Sequence, residues 1–164
     1  MKVTILLSIL SMIALFVLLY GAVAFVQDRR FFTSAPKDIQ AVATDHEERF
    51  PGQRIIGWIL IVIALGMFAF VLIYAGYDGI RNNFTFWDFF IRYLTILYLL
   101  KAFDIICLDY YLLTKSHFFQ HYYPETEGCE GYHNFGFNRK EQLIRMAIFP
   151  FVSLLLAYIC TLMR

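Results

Sequence analysis

The 164-residue chain is 60% hydrophobic, 19% aromatic and only 16% charged, with a formal net charge of +1 at pH 7. That balance is far from the soluble average and reads as an all-α polytopic membrane protein. Bases are mixed with acids along the chain, so nothing supports a nucleic-acid partner, and the lipid bilayer is the expected surrounding.

Residues 3–26 carry no charge and exceed the roughly 20 residues that cross a hydrocarbon core of about 30 Å. Met1-Lys2 before the run and Ala22-Val23-Ala24 near its end have the look of a secretory signal. The run is longer than the roughly 7–15 residues of a signal core, which favours a retained helix. In the following loop, "SAPKDIQAVATDHEERFPG", Ile39, Val42, Ala43, His46 and Phe50 fall near one helical face, and Asp38, Asp45, Glu48 and Arg49 largely elsewhere. Pro36 suits a helix start and Pro51-Gly52 a stop, which predicts a short interfacial amphipathic helix lying on the membrane surface.

A second uncharged run covers residues 55–77, and the short turn "DGIRNNFT" follows it. Thr85 and Asp88 have the spacing of a capping box at the start of a third helix, and Asp88 and Arg92 stand at i and i+4 as a surface pair. This helix, expected over 86–119, would be longer than the bilayer requires. Its middle, "LYLLKAFDIICLDYYLLT", holds Lys101, Asp104 and Asp109 in otherwise apolar sequence. At the α-helical rise, Asp104 lies about 4.5 Å and Asp109 about 12 Å from Lys101 along the axis. Each charge costs roughly 2.5–3.5 kcal/mol at the centre of a membrane helix. The other three apolar segments supply no counter-charge, so Lys101 is expected to pair with Asp104 one turn on. Asp109 points about 80° from Lys101 and about 140° from Asp104 at α-helical periodicity. Three fates are open to it: hydration, a rim arginine among Arg54, Arg139 and Arg145, or uptake of a proton.

The loop "HFFQHYYPETEGCEGYHNFGFN" contains His117 and His121 at i,i+4, then Cys129 and His133, with Glu125, Glu127 and Glu130 between. A single zinc or iron ion on His117, His121, Cys129 and His133 is a candidate, although the spacing matches no standard zinc signature. The leading expectation is that no cofactor is needed. Beyond the loop, Asn138 and Glu141 fit the start of a fourth helix over 139–163, which contains Pro150. The catalytic motifs G-x-S-x-G, a glycine-rich phosphate loop and C-x-x-C are absent from the sequence.

Four transmembrane helices in a bundle therefore form one domain, 1–164, with helices near 3–26, 55–77, 86–119 and 139–163. The connecting loops, 27–54 and 120–138, carry most of the bases. Nine lysines and arginines belong to these two loops and their helix borders, against four at the other end: Lys2, Arg81, Arg92 and Arg164. The positive-inside rule then places both long loops in the cytoplasm and both termini outside.

"FDIICLDYY" followed by "PETEG" and "YHNFGFNRK" resembles a family of small, uncharacterised bacterial four-helix integral membrane proteins, in which an F-D-x-x-x-L-D helix precedes a P-x-T-E loop. The resemblance covers about residues 103–140 and implies a bacterial inner membrane. It draws attention to Asp104, Asp109, Pro124, Thr126 and Glu127, but brings no activity with it.

Three functions are consistent with the residues. The first is a binding or transport-related component whose site is built on Lys101, Asp104, Asp109 and Glu127. The second is a small membrane enzyme acting on a lipid-like substrate, using Asp109, Glu127 and the loop histidines. The third is an accessory subunit whose charges pair with a membrane partner protein, or with further copies in a homo-oligomer.

Overall fold

The computed structural model describes residues 1–164, the Ser34 side chain excepted, and is all-helical with no strand among the described residues. Helix α1 spans Lys2–Val26, its last turns Gly21–Val26 being π-helical. Ser8, Ser11 and Ala14 form its buried stripe, and the serine hydroxyls donate to carbonyls of their own helix, Thr4 O and Ser8 O. Polar atoms are thereby satisfied without a partner helix. Leu6, Ile9, Ile13 and Phe16 of α1 face outward, while Leu7 is buried.

After α1 the backbone turns through Gln27 at φ 52°, and a short helix, α2, covers Lys37–Val42. Helix α3 spans Gln53–Arg81 and α6 spans Arg139–Leu162. Together with α1 these are the three helices long and apolar enough to cross a membrane. Close approach of α1 and α3 depends on Gly57. A Cβ there would meet Val26 Cγ2 at 2.7 Å and the Val26 backbone nitrogen at 2.9 Å. Small residues at such crossings let two backbones pack with van der Waals contact.

The fourth long helix, α4, starts at Phe86 and runs as α-helix to Phe103, then continues as a π-helix over Asp104–Lys115. Thr85 and Asp88 form the expected reciprocal cap. Asp88 is consumed by that cap, and Arg92 is not its surface partner. Arg92 is buried and reaches α3 instead, with Nη1 2.7 Å from Asp78 Oδ2 and 2.9 Å from the Ala75 carbonyl oxygen. The helix ends at Lys115 rather than Phe119, because Ser116 adopts extended backbone and its hydroxyl turns back to Leu112 O. A five-residue helix, α5, follows over Phe118–Tyr122.

The two long loops fold onto each other at one end of the helices. Gly131 N–H donates to Asp38 Oδ2 at 2.7 Å, and the Thr44 N–H and hydroxyl both donate to Glu125 Oε1 at 3.0 Å. At the other end the Arg164 guanidinium donates to Phe84 O in the α3–α4 turn. The expected surface helix is only the six residues of α2. Its Ile39, with the following Ala43, is buried in a cluster with Phe32, Phe119, Tyr123 and Tyr132. The second loop covers Ile39 and Ala43, while Val42 and Phe50 of the predicted apolar face are exposed.

Candidate functional site

The charged stretch of α4 lies where its hydrogen bonding changes register. Lys101 belongs to the last α-helical turn and is buried, and its Nζ is 2.6 Å from Asp104 Oδ2. From Asp104 onward the helix is π-helical. In that form bonds run from i to i+5, so the helix is wider and residues five apart move toward a common side. Asp104 and Asp109, expected on nearly opposite faces of an α-helix, therefore border one pocket.

That pocket has a volume of about 160 Å³. Leu18, Leu19, Ala22 and Val23 of α1 form one wall, and Asp104, Leu108, Asp109 and Leu113 of α4 the other. Phe31, Phe32 and Ala35 of the first loop line it as well, together with Phe119 of α5. Apart from the two aspartates, every lining side chain is hydrocarbon.

Asp109 Oδ2 accepts hydrogen bonds from Gln142 Nε2 at 2.7 Å and Asn138 Nδ2 at 3.2 Å. Both donors are neutral, and among the described residues Asp109 makes no ion pair. Arg54, Arg139 and Arg145 do not reach it. Asn138 stands at the start of α6 as expected, but its side chain makes no cap and serves Asp109 instead. Gln142 is 8% exposed, and its Oε1 is buried with no hydrogen-bond partner. Such an orphan acceptor costs about 1–3 kcal/mol.

The other predicted site residues lie elsewhere. Glu127 is exposed, outside this pocket, while the neighbouring Glu125 is the acid that ties the loops together. His117, His121 and His133 are exposed, and the break at Ser116 denies His117 and His121 the long helix on which they would share a face. Among the described residues no three His, Cys, Asp or Glu side chains are grouped to hold a metal ion. Burial, with a smaller contribution from Asp38, pushes the Cys129 thiol up. His133 and Glu130 belong to a separate surface cleft of about 970 Å³, bounded also by Lys37, Asp38, Glu141 and Arg145.

Sequence reasoning missed a polar ladder where the loops meet the helices. Gln53 Nε2 donates to Gln27 Oε1 at 2.9 Å and to Phe25 O at 2.9 Å, and Gln27 Nε2 donates to Tyr122 O at 3.0 Å. His46 joins it, with Nδ1 3.5 Å from Gln27 Nε2 and Nε2 3.0 Å from Glu125 Oε1. The signal was present in the sequence: Gln27 directly follows one apolar run, and Gln53 stands two residues before the next.

Burial alone would raise the Glu125 carboxyl. Hydrogen bonds from the Thr44 N–H, its own N–H, the His46 ring and the Thr44 hydroxyl outweigh burial and hold it below its ordinary 4.5. A depressed carboxyl contributes stability that is present above its unfolded value and is lost as pH falls through its folded value. Acidification below about pH 4.5 is therefore expected to loosen the contact between the two loops. The protection of the Thr44 amide against exchange, taken relative to its intrinsic rate at each pH, should fall there in the wild type, and that fall should be absent in Glu125→Gln.

The chain matches no protein-family model, no curated protein and no solved structure.

Proposed function

We propose that the chain is a four-span integral membrane protein of a bacterial inner membrane, and that the pocket between α1 and α4 binds a small cation. Support for a fourth crossing comes from α4 itself. Its 18 α-helical residues extend roughly 27 Å at the helical rise, and the π-helical residues continue beyond them. The helix connects the turn beside Arg164 to the end where the long loops meet, and it keeps Arg92 and Lys101 buried. The lysine and arginine excess favours a cytoplasmic position for those loops.

The observation that carries the functional reading is the charge balance of the pocket. Lys101 is taken up by Asp104, and Asp109 is held only by neutral amides. The pocket thus presents one carboxylate without a cationic partner. A ligand that answers it is positively charged. An ionisable residue inside a membrane bundle marks a ligand or ion path by default. Binding, in carriage or in sensing, is the role this favours.

The test is thermal unfolding of detergent-purified protein titrated with monovalent metal chlorides and alkylammonium chlorides at constant ionic strength. At least one cation should stabilise the wild type, by about 2.7 kcal/mol at a hundredfold excess over Kd. The same cation should leave Asp109→Asn unchanged. Identical responses of wild type and Asp109→Asn to every cation would overturn the reading.

A further inference from the structure

The lining of the pocket selects among cations. Hard metal ions take about six or more oxygen ligands, and this pocket has two carboxylates, one already bonded to Lys101, among otherwise hydrocarbon side chains. An organic ammonium has the opposite requirement: a few acceptors for its N–H groups and apolar walls for its carbon body. Phe31, Phe32 and Phe119 line the pocket, with the Phe32 and Phe119 rings edge to face at 6.0 Å. Aromatic rings attract organic cations as well as hydrocarbon. The volume of about 160 Å³ suits a guest of benzene's size, which fills an apolar protein cavity of about 150 Å³.

On the reading of the pocket as a cation site, we infer that its ligand is a small primary organic ammonium with an apolar body of about six carbons, its ammonium group on Asp109 and its body against the phenylalanines. The N–H groups supply donors to Asp109, and the body displaces whatever little water the hydrocarbon walls admit. Lys101 has a selective consequence: by neutralising Asp104 it leaves room for one positive charge and disfavours a dication.

The experiment uses full-length protein in detergent and four probes: benzylammonium, methylammonium, sodium and the neutral isostere benzyl alcohol. Thermal shifts are read for wild type, Asp109→Asn and Ala35→Leu, the last filling the pocket from its loop wall while leaving both carboxylates in place. Benzylammonium should stabilise the wild type with an apparent Kd at least tenfold below those of methylammonium and sodium. It should lose at least tenfold in Asp109→Asn, and Ala35→Leu should remove the preference for benzylammonium over methylammonium. Sodium binding as tightly as benzylammonium, in an Asp109-dependent way, would leave the cation site standing and overturn the organic ligand. Benzyl alcohol matching benzylammonium would overturn it too, as filling of an apolar space. If no probe shifts any variant, both the ligand class and the cation site fall.

Discussion

Arg92→Met is expected to lower stability by about 3–5 kcal/mol, the range seen when one partner of a buried ion pair is removed. The side chain is 4% exposed and Asp78 is 14% exposed, so neither charge is well solvated. Arg92 holds three groups at the end of the bundle opposite the long loops: Asp78 and Ala75 O of α3, and the Phe84 ring in the turn, 4.1 Å from the guanidinium. Methionine would fill the space but abandon the carboxylate and the carbonyl to an apolar environment. The double change Arg92→Met/Asp78→Leu should recover most of the loss, since hydrophobic replacement of both partners is often neutral or stabilising. Unfolding of micelle-bound protein, followed by circular dichroism, checks this against the exposed Arg81→Met. Equal stability of the two single variants would show that Arg92 is not a structural tie.

Lys101→Met is expected to cost about 3 kcal/mol, at the lower end of the same range because Asp104 retains partial exposure to the pocket. The lysine side chain is 7% exposed and the aspartate 24%. Removing the lysine leaves two uncompensated carboxylates, Asp104 and Asp109, at one small pocket. Lys101→Met/Asp104→Leu should return to within about 1 kcal/mol of the wild type, because the pair is replaceable by hydrocarbon where it serves only neutrality. It should keep Asp109-dependent cation binding. A double variant as unstable as the single one would mean that the 2.6 Å contact fixes the geometry of the α-to-π transition and does more than cancel charge.

The two uncharged runs, the turn between α3 and α4 and the Thr85–Asp88 cap were legible because each rests on local pattern or composition. What escaped sequence reading was long-range or depended on helix type. Nothing in "FDIICLDYY" announces a π-helix, and an α-helical period separates Asp104 from Asp109 by about 140°. The i,i+4 rule gave Arg92 to Asp88, but the capping box already claims that carboxylate, and the true partner lies on the preceding helix. Val42, His46 and Phe50 pointed to a surface helix, whereas the folded second loop supplies Tyr123 and Tyr132 as a cover for Ile39. Glu127 and Glu125 are both acids of the P-x-T-E stretch, and only tertiary contact with Thr44 and His46 distinguishes them.

The claim that α4 carries this pocket across a membrane is tested most directly by the sidedness of its two ends. In a cysteine-free background, single cysteines at Asn82→Cys in the α3–α4 turn and Glu127→Cys in the second long loop can be labelled in intact cells with a membrane-impermeant maleimide. Both positions are exposed. The expected result is labelling at position 82 from outside and labelling at position 127 only after the membrane is permeabilised. Labelling of both positions from the same side would contradict a crossing by α4 and, with it, an intramembrane site on Asp104 and Asp109.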